Sequence, residues 1–206
     1  MTDKSPFYVI DDFLSPLLCE DIIQRLNHTY PDCDENNVPL KTVKLNKLTE
    51  LRVEPLLEAY IPTLEQYYSF ETLGILPFKF EWFVEGFSVE PARCESFSYD
   101  NAKRKWVRIS DVGLTGVVFL NEFNNAAPFD DAYEVYGGKL EFVTHNFGFN
   151  PKRGTVVFYP EAPNFVNTTS QIEFGELTQI RIHIVPMVLY NYNINNFPGN
   201  YKTWFK

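Results

Sequence analysis

The side chains in this 206-residue chain that could do chemistry are few: three histidines, three cysteines, some acidic pairs and one well-placed arginine. His183 stands two residues from Arg181, and the two-residue period of a strand puts both on one face. A lone inward histidine is more often a satisfied core residue than a ligand. His28 falls near the end of a helical pattern, where a cation complements the carbonyl end of a helix. His145 follows a Gly-Gly strand start in a segment expected to face solvent. The weak metal set these residues offer is Asp100, His145 and His183, and zinc has no better one. Cys19, Cys33 and Cys94 lie far apart with no Cys-x-x-Cys, which argues against a disulfide scaffold and a zinc knuckle. Cys19 and Cys94 are expected as small buried hydrophobes on a helix and a strand. No Gly-x-Ser-x-Gly elbow and no glycine-rich phosphate loop occurs. The acid pairs Asp11-Asp12 and Asp130-Asp131 fall in loops and are expected to be solvated, so nothing supports a glycosidase.

The elements that must position these residues are mostly strands. Leu114–Asn121, Gly137–Phe142, Pro151–Pro160 and Gln179–Ile184 are short apolar or alternating runs bounded by Gly, Pro or Asn. An aromatic share of 17% supports a β-rich core. Upstream, Phe7–Ile10 is a strand, and Ser15-Pro16 caps a helix over 16–27 with Leu18, Ile22 and Leu26 on one face. Pro55 is expected to open a second helix, Pro62 to kink or break it, and Gly74 and Pro77 to end the segment. Phe78–Val84 alternates as a half-buried strand, with further strands at Arg93–Tyr99 and Trp106–Ile109. Asn124–Tyr133 reads as the long loop. The organisation expected is one domain over 1–189, with a helical annex at about 15–70, and an Asn-rich aromatic tail over 190–206.

Net charge of −9 argues against a nucleic-acid partner, and Lys103-Arg104-Lys105 reads as a solvated hairpin tip. No apolar run approaches the roughly 20 residues that span a bilayer, and the first residues lack a signal-peptide pattern. A soluble, cytoplasmic protein without a membrane partner is expected.

Tyr8–Ser15, Leu114–Asn121, Gly137–Phe142 and Pro151–Pro160, in that order, resemble the prolyl 4-hydroxylase-like branch of the 2-oxoglutarate/iron(II) oxygenases. The resemblance covers most of the chain, least in the helical middle. It implies a mainly β fold with some α: a double-stranded β-helix, or jelly roll, with N-terminal helices on one sheet. It also implies a His-x-Asp…His iron site at the mouth of the roll. The matching slots hold Ser98 and Asp100 for the first pair and Asn167 for the second histidine, with Gly175 setting that register and Asn164 as the other register. Arg181 is the residue for the slot that anchors 2-oxoglutarate, at a longer spacing than the family shows. Two of three iron ligands are therefore replaced, by a hydroxyl and an amide that are poor donors beside imidazole.

The leading expectation is a non-catalytic oxygenase-fold protein with no cofactor, acting as a structural or interaction module. Similar chains in tailed-phage genomes suggest a virion component of a tail, baseplate or neck. Its partners would be other protein subunits, contacted through Tyr190, Tyr192, Phe197, Tyr201, Trp204 and Phe205 of the tail. The tail's own sheet is the other surface those rings could cover. The alternative is an active hydroxylase using iron(II) and 2-oxoglutarate through an unorthodox site. A third reading, a carbohydrate- or peptide-binding roll, requires rings such as Trp82, Tyr99 and Trp106 to line an open sheet.

Overall fold

The computed structural model of the chain describes residues 5–29, 43–44, 47–89, 93–126 and 131–187. In order these form β1 (Tyr8–Ile10), α1 (Pro16–Thr29), β2 (Val43–Lys44), α2 (Lys47–Tyr68), β3 (Thr72–Ile75), β4 (Lys79–Phe83), β5 (Phe97–Asp100), β6 (Lys105–Arg108), β7 (Leu114–Phe119), β8 (Glu122–Phe123), β9 (Glu134–Gly137), β10 (Leu140–Phe142), β11 (Phe147–Phe149), β12 (Val156–Pro160), β13 (Asn167–Thr169), β14 (Ile172–Gly175) and β15 (Leu177–Pro186). Cys33 and the 190–206 tail lie outside the described residues.

The main sheet runs β1-β12-β7-β15-β4-β2, with β3 also paired to β15. Two three-stranded sheets, β11-β10-β13 and β14-β9-β8, accompany it. The main sheet is buried on both faces, which is why β7 and β12 are buried along their whole length and, Thr115 apart, do not alternate with polar residues. One face, with Val118, Phe158, Ile180, Ile182 and Ile184, packs on the two helices. The other, with Phe83, Val117, Phe119, Tyr159 and Leu177, packs inside the roll on Leu140, Phe142, Phe165 and Ile172. The architecture is mainly β with α: a jelly roll with N-terminal helices on the outer face of one sheet.

Ser15 caps α1 as its type predicts: the Leu18 N–H lies 3.3 Å from Ser15 Oγ. Gly154 brings the turn before β12 against that helix start. Leu14 N–H donates to its carbonyl at 3.0 Å, and its φ of +78 with Leu14 O only 2.1 Å from any added Cβ leaves room for glycine alone. Arg153 beside it reaches Glu20 of α1 at 3.0 Å and Asp131 at 2.7 Å.

Two expectations are corrected here. The second helix begins at Lys47, not Pro55, and passes through Pro55 and Pro62. Both prolines are exposed, while Val53, Leu57, Leu64 and Tyr68 form an unbroken buried stripe. Burial of that stripe outweighs a cost of about 3 kcal/mol for each proline. The segment around Gly74 is not a terminator but strand β3, which extends the edge beyond β4 by pairing Ile75 with Ile184. The segment expected as the long loop, Asn124–Tyr133, is flanked by short β8 and by β9, which pair in parallel.

Candidate functional site

The inward face of β15 carries Gln179, Arg181 and His183 in a row, because Ile180, Ile182 and Ile184 take the helix side. On neighbouring β4 the same alternation turns Lys79, Glu81 and Phe83 inward. Register pairs Gln179 with Glu81 and Arg181 with Lys79, so Arg181 lies diagonal to Glu81 within reach of a long side chain. Arg181 Nε donates to Glu81 Oε2 at 2.7 Å, Nη1 to the Tyr159 hydroxyl at 2.9 Å and Nη2 to Asn167 Oδ1 at 3.4 Å. Gln179 Nε2 donates to Glu81 Oε2 at 2.5 Å, and Arg93 Nη2 reaches Glu81 Oε1 at 2.6 Å. Arg181 and Glu81 are each 1% exposed.

Burial pushes the Glu81 carboxyl up, but the guanidiniums of Arg181 and Arg93 and the hydrogen bonds outweigh it and hold it at about 2. Burial likewise opposes the Arg181 charge, and Glu81 more than restores it. Glu161 is the contrasting carboxylate. It accepts from Thr115 Oγ1 at 2.7 Å, the Glu95 amide at 3.0 Å and the Cys94 thiol at 3.3 Å, yet burial leaves it above the usual carboxylate range.

The sequence-derived slots are placed as follows. Asn167 and Arg181 come together. Ser98 and Asp100 sit on β5, in the separate β5–β6 hairpin. Ser98 is exposed, and Asp100 accepts from the Ala102 and Lys103 amides at 3.0 Å as the cap of the hairpin turn. The ladder partner of Asn167 is instead Arg93, through N–H···O=C bonds of 2.7 and 2.9 Å. Glu95, two residues on, meets Lys79 Nζ at 3.1 Å. Asp100, His145 and His183 lie on three different elements, and no group of three or more His, Cys, Asp or Glu able to hold a metal occurs among the described residues.

His145 is half-buried rather than solvent-facing, with its ring 5.0 Å from that of Phe165, and burial lowers its pKa. Cys19 is fully buried as expected, its thiol pushed up to about 12 by burial. Cys94 departs from expectation: it lies outside the strands, half-buried, with its thiol on Glu161. Trp82 bonds Glu176 at 3.0 Å on the main sheet, while Tyr99 and Trp106 meet edge to face in the separate hairpin, so the three rings do not line one sheet.

The residues around Asn167 do not fit iron(II). That ion needs imidazole and carboxylate donors converging on an open position. Beside Asn167 stand two guanidiniums, and the one available amide oxygen already accepts from Arg181. The carboxylate between them, Glu81, is already held by both. Arg181, the residue for the anchor slot, spends its donors on Glu81, Tyr159 and Asn167.

The fold these elements define is that of the 2-oxoglutarate/iron(II) oxygenases, in its prolyl 4-hydroxylase form. Among solved structures the chain is similar to the viral collagen prolyl hydroxylase of Paramecium Bursaria Chlorella virus-1 in its 2-oxoglutarate complex. Identity is 14%, with 90% of this chain and 98% of that one covered and a TM-score of 0.66. A Pseudomonas putida prolyl-4-hydroxylase matches at 14% identity, 88% and 93% coverage and a TM-score of 0.56. A Trichoplax adhaerens prolyl hydroxylase, in complex with a hypoxia inducible factor oxygen degradation domain peptide, matches at 11% identity, 88% and 84% coverage and 0.58. No family model and no curated protein matches the sequence.

Glu81, Arg93, Glu95, Tyr159 and Glu161 were not singled out by sequence. The available signal was the Lys79/Glu81 alternation in a strand whose other face is Phe80 and Trp82.

Proposed function

We propose that the chain is a non-catalytic protein on the oxygenase fold, working as a structural or interaction module within a protein assembly such as a phage virion. The observation that carries this reading is the Arg181–Glu81–Arg93 cluster beside Asn167, where iron ligands would have to converge. A fold does not fix a function, and the site decides between a catalyst and a scaffold. Under this reading the aromatic tail contacts neighbouring subunits, and the mouth of the roll serves stability.

The test is to incubate the purified chain with iron(II), 2-oxoglutarate and ascorbate, and to measure succinate and retained iron. Neither should exceed the level of a buffer control. Succinate formed in proportion to protein overturns the reading. It would favour an active hydroxylase, which the names of the fold neighbours support as the second reading.

A further inference from the structure

The polar row on β15 continues past Arg181 to His183, near the outer end of the strand. His183 is 1% exposed, and its Nε2 has no hydrogen-bond partner. A buried polar atom left unpaired costs about 1–3 kcal/mol, so the orphan nitrogen requires an explanation. His183 is one of the residues lining a cavity of about 610 Å³. Sites for small molecules occupy about 300–1,000 Å³.

The walls of this cavity are of two kinds. Lys79, Glu95 and His183 form a polar end, and Leu73, Leu76 and Val185 form an apolar side. Leu73 and Leu76 are 65% and 41% exposed, large apolar side chains left uncovered among the described residues. The side is fixed to the polar end, since Leu76 N–H donates to the His183 carbonyl at 2.9 Å.

Charge selects among ligands. Lys79, Arg93 and Arg181 carry three positive charges and Glu81, Glu95 and the rim carboxylate Asp111 three negative ones, with Lys79 on Glu95 at 3.1 Å and both guanidiniums on Glu81. Burial, with Lys79 and Arg181 adding to it and Glu95 opposing, holds His183 at about 4, so the imidazole is neutral at neutral pH. A net ligand charge would thus enter a site already balanced and pay desolvation without compensation. A head group that both donates and accepts finds the Lys79 ammonium, the Glu95 carboxylate and the His183 nitrogen.

We infer that this cavity binds a small, electrically neutral, amphipathic molecule. Its primary amide or hydroxyl head meets His183, Lys79 and Glu95, and its apolar body lies against Leu73, Leu76 and Val185. This goes beyond the scaffold role and stands apart from it: the succinate assay and the binding assay can each fail without the other.

The experiment titrates the whole chain with benzamide, benzoate and benzylamine, three probes sharing one ring and differing in head charge, and follows the histidine ring signals by NMR. Benzamide should shift the His183 ring saturably with a Kd of about 1 mM, about tenfold tighter than either charged probe. Leu73→Ser, at an exposed position, should weaken benzamide several-fold with an unchanged Tm. His183→Phe should weaken it about tenfold while preserving the apolar contact. The inference is overturned by the absence of a saturable shift up to about tenfold above that concentration, by equal or tighter binding of a charged probe, or by an unaltered affinity in the folded Leu73→Ser variant.

Discussion

Arg181 and Glu81 meet at 2.7 Å inside the roll with both residues 1% exposed, and each is the other's principal compensation for burial. Removing one partner leaves uncompensated charge, which costs about 3–5 kcal/mol. Glu81→Gln strands two guanidiniums and should lower stability by about that amount, read as a shift in the urea midpoint. Replacing the pair by apolar residues of similar size, Glu81→Leu with Arg181→Met, removes the buried one of the two stranded guanidiniums and leaves only the partly exposed Arg93 without Glu81. The double variant should be more stable than Glu81→Leu alone. A double variant as unstable as the sum of its parts would refute the coupling.

Gly116 on β7 faces Phe158 across the sheet, and an added Cβ would lie 2.5 Å from the Phe158 ring. That ring is fully buried in the core between sheet and helices. Gly116→Ala should therefore destabilise by about 1–3 kcal/mol. Phe158→Leu in the same chain should recover part of the loss. Urea unfolding of the two single variants and the double one measures the coupling.

How far these relationships were legible depends on what hides a face. The β7 and β12 runs were readable because both faces of the main sheet are covered, so apolar residues predominate along them, and β15 was readable from its alternation of isoleucines with polar residues. α1 was readable from Ser15-Pro16 and its buried stripe. Glu81 was not, since Lys79-Phe80-Glu81-Trp82 has the pattern of a strand with one wet face. Only closure of the roll turns that face inward. β13 was missed for the same reason: Asn167-Thr168-Thr169 has no apolar residue to give a period. The first metal pair was read at Ser98 and Asp100, whereas pairing brings Arg93 to Asn167, and a ladder between distant segments leaves no local trace.

The aromatic tail is proposed to serve partners rather than the fold. β15 already has β7 along one edge and β4 then β3 along the other, so its ladder is complete without any later residue. Deleting residues 190–206 should leave the Tm within about 2 °C of the full chain, as expected of a segment the main sheet does not need. Association with partner subunits, followed by sedimentation or pull-down, should be lost. A large fall in Tm would instead assign the tail to the domain's own surface.

Acid should unfold the protein in two stages, set by groups whose folded pKa values are depressed. His183 is held at about 4 against an ordinary 6.5, so between those values the unfolded chain takes up a proton that the folded chain refuses. Its contribution is present above pH 6.5 and is lost as pH falls towards 4. Glu81, held at about 2 against 4.5, contributes above pH 4.5 and loses that contribution as pH falls towards 2. Glu161 acts in the opposite sense: its raised pKa favours the folded state at low pH and offsets part of the loss. Urea midpoints measured from pH 7 to 3 should decline, steepening below 4.5. In His183→Asn the decline between 6.5 and 4 should flatten while the lower stage remains. An unchanged upper stage in that variant would assign the titration to a group other than His183.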